Sequence, residues 1–500
     1  MTRPAPQPRP LDAFGVDIRS LAVLRIAYAL LIIIDLATRA RDLVAHYTDD
    51  GVLPRTAMIE LSGNVHWVSL HMMGGSAYFE AFLFVVNAVI ALALLVGWRT
   101  RWATFLCWFF LISLHSRNPM VLNGGDIYLR CIMFWANFLP WEACWSVDSA
   151  QNPGLEKVPL RITTVATFCY LVQVGLVYWF AAIPKNDPTW TVDYTAAYYA
   201  LMLDQFTKPF GHLMLEFPRA LSALTCGVWW FEALGPFLLM APFLRGPLRM
   251  VGILGIIGMH LGFLLSMHLG MFGYIGMFTV LGLLPSWFWE KLLGDRIKLE
   301  AGWPQRLADR LPAPTSPRQE APGLHPLVEV LLGALLLYVF AWNLANESAT
   351  PRIKIPPQRE WLAQILRLDQ RWNMFSPKPL TEDGWYVVEA YQSDGGVFDL
   401  FTEAPLTWDK PADVSLTYKD QRWRKYLMNL WDVNNQKHRN YYAQYLCRYW
   451  NGRHHGGKQV REFKLYYMEE DTLPDYEQPR VEKVMLWHHY CFDMPAALKK

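Results

Sequence analysis

Four polar side chains that can hold or orient a substrate fall within ten residues of one another: Arg117, Asn118, Asn123 and Asp126. They lie in a short loop between the apolar runs 102–113 and 127–140. In lipid, such a loop must reach water or be satisfied by protein, because its polar groups have no other partners. Gly124 and Gly125 open backbone conformations with positive φ and allow another group to approach closely. Two readings stand. In one, Asn123 and Asp126 position a substrate or stabilise an oxyanion. In the other, the loop is a tight interhelical turn with Asp126 capping the next helix.

Lys185 is the residue best placed to act as a base. It follows Tyr178, Trp179, Phe180 and Ile183 at the end of an apolar run, with Trp190 shortly after. A lysine partly desolvated by aromatic rings is more readily held as the neutral amine, the form that takes a proton. Asp187 opposes this if it pairs with the lysine. The alternative is a lysine snorkelling to the interface beside an aromatic belt. Arg25, Asp35, Arg130, Glu232 and His260 lie within apolar runs. Intramembrane charges are costly, so they face a bundle interior or a wet cavity, and Glu232 and His260 are candidate proton partners. Arg25 and Asp35 are about 15 Å apart along a helix, so each needs a partner elsewhere. His260 and His268 are about 12 Å apart by helical rise, too far for joint ligation without a bend. No HExxH, CxxC, GxSxG or phosphate-loop pattern occurs, and no metal is expected.

The elements that must position these groups are mostly apolar. The chain has 500 residues, 53% hydrophobic and 18% charged, which is too apolar for an ordinary soluble enzyme. A net charge of +2 gives no sign of a nucleic-acid partner. Apolar runs long enough to cross a bilayer core of about 30 Å recur up to residue 345 and then stop. The predicted fold is a membrane α-helical bundle of about nine spans, near 18–37, 77–97, 102–115, 126–140, 162–183, 221–243, 249–267, 269–286 and 326–345. An extracytoplasmic α+β domain follows. Lys and Arg gather on alternate connections and Asp on the others, which predicts a cytoplasmic N-terminus and an extracytoplasmic C-terminus. The domains are therefore 1–17, a Pro-rich cytoplasmic tail; 18–345, the membrane part; and 346–500, the outer domain. A basic linker is expected at 299–325. In the outer domain, 385–400 reads as a hairpin turning near Asp394–Gly396, residues 420–450 as helical, and 462–467 and 481–488 as strands. Cys447 and Cys491 can pair if that domain lies outside the cell. WNMFSPKP (372–379) reads as a lid over the outer face or, by preference, as the apolar foot of the tail.

SLHSRNPMVLNGGDIYLR (113–130), WSVD (145–148), QVGLVYWFAAIPKNDPTW (173–190) and WNMFSPKP together resemble the HTTM (horizontally transferred transmembrane) domain family, bacterial branch, which includes the vitamin K-dependent γ-glutamyl carboxylases. The resemblance implies a multi-span protein of the plasma (inner) membrane that takes reduced vitamin K or another quinol as cofactor. It implies an apolar or protein substrate at the outer face. It places the initiating base at Lys185, with Trp190 at the matching offset. The sequence departs from the carboxylases at Leu122–Asp126, where their histidine has no match, and its C-terminal part is shorter. The competing expectation is a non-enzymatic membrane protein that binds a partner through 423–450, where Arg, Lys and Tyr interleave.

Overall fold

The computed structural model describes residues 13–62, 68–293, 302–315, 317, 323–347, 353–474, 477 and 480–492. The Pro-rich start of the N-terminal tail and parts of the basic linker, including Arg296, Lys298 and Arg318, lie outside these residues.

Ten helices build the membrane part: α1 (Ile18–Ala40), α2 (Ala77–Val96), α3 (Thr100–Arg117), α4 (Gly124–Ala136), α5 (Val165–Ala182), α6 (Pro218–Leu239), α7 (Arg245–Ser266), α8 (Phe272–Leu281), α9 (Ser286–Leu293) and α10 (Pro326–Ala345). Shorter helical turns fill the connections. Their ends follow from local chemistry. The Asp17 carboxylate accepts from the Arg19 backbone N–H at 2.9 Å and starts α1. Ser76 does the same for α2, which Gly97 ends at φ +70. A side chain at Gly97 would run into Ser146, whose Cβ lies 2.3 Å from the position it would take. That glycine is what lets the α2–α3 corner close.

Six of these helices are long and apolar enough to cross a membrane: α1, α2, α5, α6, α7 and α10. A seventh crossing is available if α8 and α9, bent by 83° at their junction, count as one broken span. The nine expected spans are thus not all met. The difference lies mainly at 102–115 and 126–140. There α4 has only 13 residues, about 20 Å at 1.5 Å per residue, short of the bilayer core. The other, α3, carries Arg101, His115 and Arg117.

The bundle has a definite centre. In α5, 78% of the apolar window is buried, against 22% in α10, which lies on the outside. Helices α4, α6 and α10 all pack on α5. Lys185 therefore sits just beyond the end of the most enclosed helix, not on a lipid-facing one.

Beyond residue 353 come a helix at Pro357–Leu366 and then an antiparallel sheet with two further helices. The strands β1 (Glu382–Gln392), β2 (Val397–Asp399), β3 (Val460–Asp471) and β4 (Val481–Tyr490) lie in the order β2-β1-β3-β4. Val388 is opposite Leu465, and Leu465 is opposite Trp487. The expected hairpin is the β1–β2 pair, closed by an Asp394 side chain that accepts from the Gly396 N–H at 3.0 Å. Helices α11 (Gln421–Trp431) and α12 (His438–Asn451) bury Trp423, Tyr426, Tyr442, Tyr445 and Trp450. These rings are core, which leaves the exposed basic side chains of 423–450 as the part of that stretch able to meet a partner. Cys447 and Cys491 form a disulfide that ties α12 to the end of β4.

The core of this C-terminal unit does not stop at residue 346. Ala45, Val52, Leu53, Ala57, Met58, Met120 and Val121 belong to the same apolar cluster as the sheet. Two loops of the membrane part are thus built into the C-terminal unit.

Candidate active site

Lys185 is 3% exposed, and its Nζ donates to Glu232 Oε2 at 2.5 Å. Glu232, on α6, is equally buried. The ammonium also lies 4.3 Å from the centroid of the Trp190 ring, a cation–π contact. Trp190 is fixed by its own indole N–H, which donates to the Phe375 carbonyl at 2.9 Å. Asp187 does not pair with the lysine. Its side chain accepts from the Thr189 N–H and starts the short turn that carries Trp190. Three of the expected site residues therefore meet at one point, and the snorkelling alternative fails because the amine is enclosed.

His260 lies on α7, where its Nε2 and the Tyr178 hydroxyl share a hydrogen bond of 2.9 Å. Tyr178 is on α5, two turns before Lys185. The ring rests against Phe263 and Phe272. Gly276 lets the imidazole fit, since an added Cβ there would lie 2.2 Å from Nε2. Its Nδ1 has no hydrogen-bond partner among the described residues, and the same is true of the Trp179 indole N–H and the Ser376 hydroxyl. Buried polar atoms without partners are uncommon in a packed interior.

The second expected group forms a different structure. Asn123 Oδ1 accepts from the Gly125 and Asp126 N–H groups, and Asp126 returns a bond to the Asn123 N–H at 2.7 Å. The loop is thus a capping box on α4. Asp126 then meets two guanidinium groups. Its Oδ1 accepts from Arg39 at 2.6 Å and from Arg422 at 2.8 Å, and its Oδ2 accepts from Arg422 as well. Asp35 holds the same pair, from Arg39 Nε at 2.7 Å and from Arg422 at 2.8 Å. Tyr47 accepts from Arg39, and His115 closes the group 3.5 Å from Asp126. Asp35, His115 and Asp126 have the ligand types and spacing of a metal site, but the arginines already supply two positive charges to the two carboxylates. Arg117 donates to the Leu53 and Thr48 carbonyls, and Asn118 donates to the His46 carbonyl. These two brace the loop that enters the C-terminal core.

Arg25 donates to the carbonyls of Leu94 and Leu95 at the end of α2 and to those of Trp141 and Trp145 in the connection after α4. Arg130 reaches Asp369 at 2.9 Å. Sequence reasoning missed Arg39, although it follows Asp35 by four residues on one helix face. It also missed Arg422. The only signal for that residue was a basic position in a stretch that read as surface.

The segment 372–376 joins the two groups. Trp372 is buried against Tyr128, Met374 faces Gly124, and Phe375 holds Trp190. Of this segment Trp372 is enclosed, whereas Asn373 is exposed and residues 374–376 are half-buried. The cavity between Pro184, Trp372 and Asn373 is about 10 Å³, room for about one water molecule.

No curated protein and no solved structure matches the chain. A family model described as the HTTM domain matches residues 15–287, which takes in the Asn123–Asp126 loop, Lys185, Glu232 and His260. The match covers more than half of the 500 residues, and the chain belongs to the HTTM domain family.

Proposed function

We propose that this protein is an integral membrane enzyme of the carboxylase-like kind, acting on a quinol or another apolar substrate at the outer membrane face. The observation that carries the reading is the enclosed Lys185–Glu232 pair beneath Trp190. An ion pair removed from water is costly to keep, and a proton passed from Nζ to the carboxylate leaves a neutral amine and a neutral acid. Lys185 is then the base and Glu232 its proton partner. Trp190 holds the lysine in place. His260 and Tyr178 form a second proton-bearing pair deeper along α5. The roles first expected of Asn123 and Asp126 pass to holding α4 and the C-terminal unit, and Arg117 and Asn118 act as braces.

The surroundings fit a quinol. The rings of Trp190 beside Lys185 and of Phe272 beside His260 suit a quinol ring, and the unpartnered His260 Nδ1 suits one of its oxygens. When bound, a reduced quinol supplies an acidic hydroxyl and the reducing power to react with oxygen.

The reading goes with a particular topology. Asp35, near the end of α1, pairs with Arg422 of the C-terminal unit, whereas Ile18 lies about 25 Å away along the helix. The C-terminal unit is thus at the end of α1 remote from Ile18, and with the N-terminus taken as cytoplasmic from the charge pattern it is extracytoplasmic, in the plasma membrane. With α8 and α9 counted as one broken span there are seven crossings, an odd number that fits this topology, as the nine first expected did. The Cys447–Cys491 disulfide suits an oxidising compartment.

The test is epoxide formation from reduced naphthoquinone under oxygen, with protein in lipid. Lys185→Ala should lower turnover by about 10²–10⁴-fold, as expected for loss of a general base. Full turnover in a folded Lys185→Ala variant rules the assignment out. If folded wild type forms no epoxide, the quinol reading fails.

A further inference from the structure

A cleft of about 530 Å³ opens where the end of α1 meets α12, outside the site described above. Its walls carry Arg41, Lys419, Arg448 and Arg453 against two carboxylates, Asp42 and Asp50. No ion pair satisfies any of the four cations among the described residues. Arg448 donates to the Asp50 and Gly51 carbonyls, which fixes its guanidinium at the rim without neutralising it. Arg453 is stacked 3.8 Å from the Tyr449 ring centroid, and Lys419 lies between the Tyr449 and Trp423 rings at 5.1 and 5.4 Å. Aromatic faces thus hold two cations toward the opening. Four cations around one concave space draw in anions, and forked guanidinium groups suit phosphate oxygens.

The helix beneath the cleft indicates what kind of phosphate it takes. On α1 the exposed positions are Leu30, Ile34, Ala37 and Ala40, followed by Arg41. Their spacing of three and four residues makes a single stripe. It is apolar along the membrane-spanning length, faces outward, and ends at the cleft. Val44, also exposed, continues it into the lining. An acyl chain against the stripe therefore places its headgroup beside Arg41.

We propose that this cleft is a binding site for the phosphate headgroup of an anionic glycerophospholipid, with the acyl chain lying along the Leu30–Ile34–Ala37 stripe. The forked guanidinium groups at the end of an apolar stripe match a headgroup phosphate with its acyl chain beside it. The site is separate from Lys185 and does not depend on the reaction assigned to it.

The experiment is lipid retention by the full-length chain in nanodiscs, read by native mass spectrometry. Phosphatidylglycerol and phosphatidylcholine are offered in equal amounts, with and without excess glycerol phosphate. Wild type should retain phosphatidylglycerol at least fivefold over phosphatidylcholine, and glycerol phosphate should not displace it. The Lys419→Gln/Arg453→Gln double variant should lose the preference, Lys419→Arg should keep it, and Lys458→Gln, outside the cleft, should leave it unchanged. Equal retention of the two lipids by wild type, or an undiminished preference in the double variant, overturns the proposal. Displacement by glycerol phosphate also overturns it, since the site would then take a free phosphate ester.

Discussion

At Lys185 the decisive fact is that burial and pairing come together. A lone buried ammonium would be intolerable, and a paired one at the surface would have no special chemistry. Asp187 was the partner in reach along the sequence, but its carboxylate is used in starting the next turn, so Glu232, 47 residues away, takes the lysine. That choice was not legible in the sequence, because nothing in a one-dimensional pattern says which helix faces α5. The suspicion about Lys185 was legible, since aromatic residues on both sides already implied an enclosed amine. The pair also yields a stability test. Removing one partner strands the other charge, at a cost of about 3–5 kcal/mol. Glu232→Gln and Lys185→Met should each lower the melting temperature in detergent, and the double variant should recover most of the loss. Additive losses would mean that the two groups do not form a coupled pair.

Among the elements, the loop 202–207 and the sheet form a contact that should respond to pH. Asp383 on β1 is 1% exposed, and burial pushes its carboxyl up to about 7. Gln205 donates to it through Nε2 at 2.8 Å and through its backbone N–H. Asp204 lies beside it, held by Lys410 at 2.6 Å, and Lys410 also pairs with Glu470. A carboxyl raised in the folded state binds its proton more tightly there than in the unfolded chain. Its contribution is therefore full below the ordinary value of 3.8 and is lost as pH rises toward about 7. Asp383→Asn removes the titration and should flatten the fall in thermal stability between about pH 4 and 7. An unchanged pH profile in that variant would show that the group does not control the contact. The strands themselves were readable from alternating apolar residues. This contact was not, because its partner residues come from a connection between two membrane helices, where periodicity carries no signal.

Over the whole molecule, the sequence divides neatly where the structure does not. Apolar runs stop near residue 345, so the chain reads as a bundle with a separate domain after it. Yet Arg422 inserts from α11 between Asp35 and Asp126, and the sheet's core includes Val52, Leu53 and Val121. Such joins are hard to see in a sequence, because an arginine that will be buried looks the same as an exposed one until its carboxylates are placed. The consequence is that residues 1–345 should not be a free-standing unit. Cutting there removes one of the two cations that balance Asp35 and Asp126, leaving a net negative charge in a buried place, and it also exposes the apolar loop 52–58. In the full chain, Arg422→Ala should cost about 3–5 kcal/mol for the same electrostatic reason. Asp126→Asn added to Arg422→Ala should recover part of that, because Arg39 then balances Asp35 alone. Gel filtration and thermal melts in detergent decide the matter. A monodisperse 1–345 fragment melting with the full chain would mean that the C-terminal unit only rests on the bundle. Aggregation of the fragment, with partial rescue of Arg422→Ala by Asp126→Asn in the full chain, would mean that this ion network stitches the two halves into one folding unit.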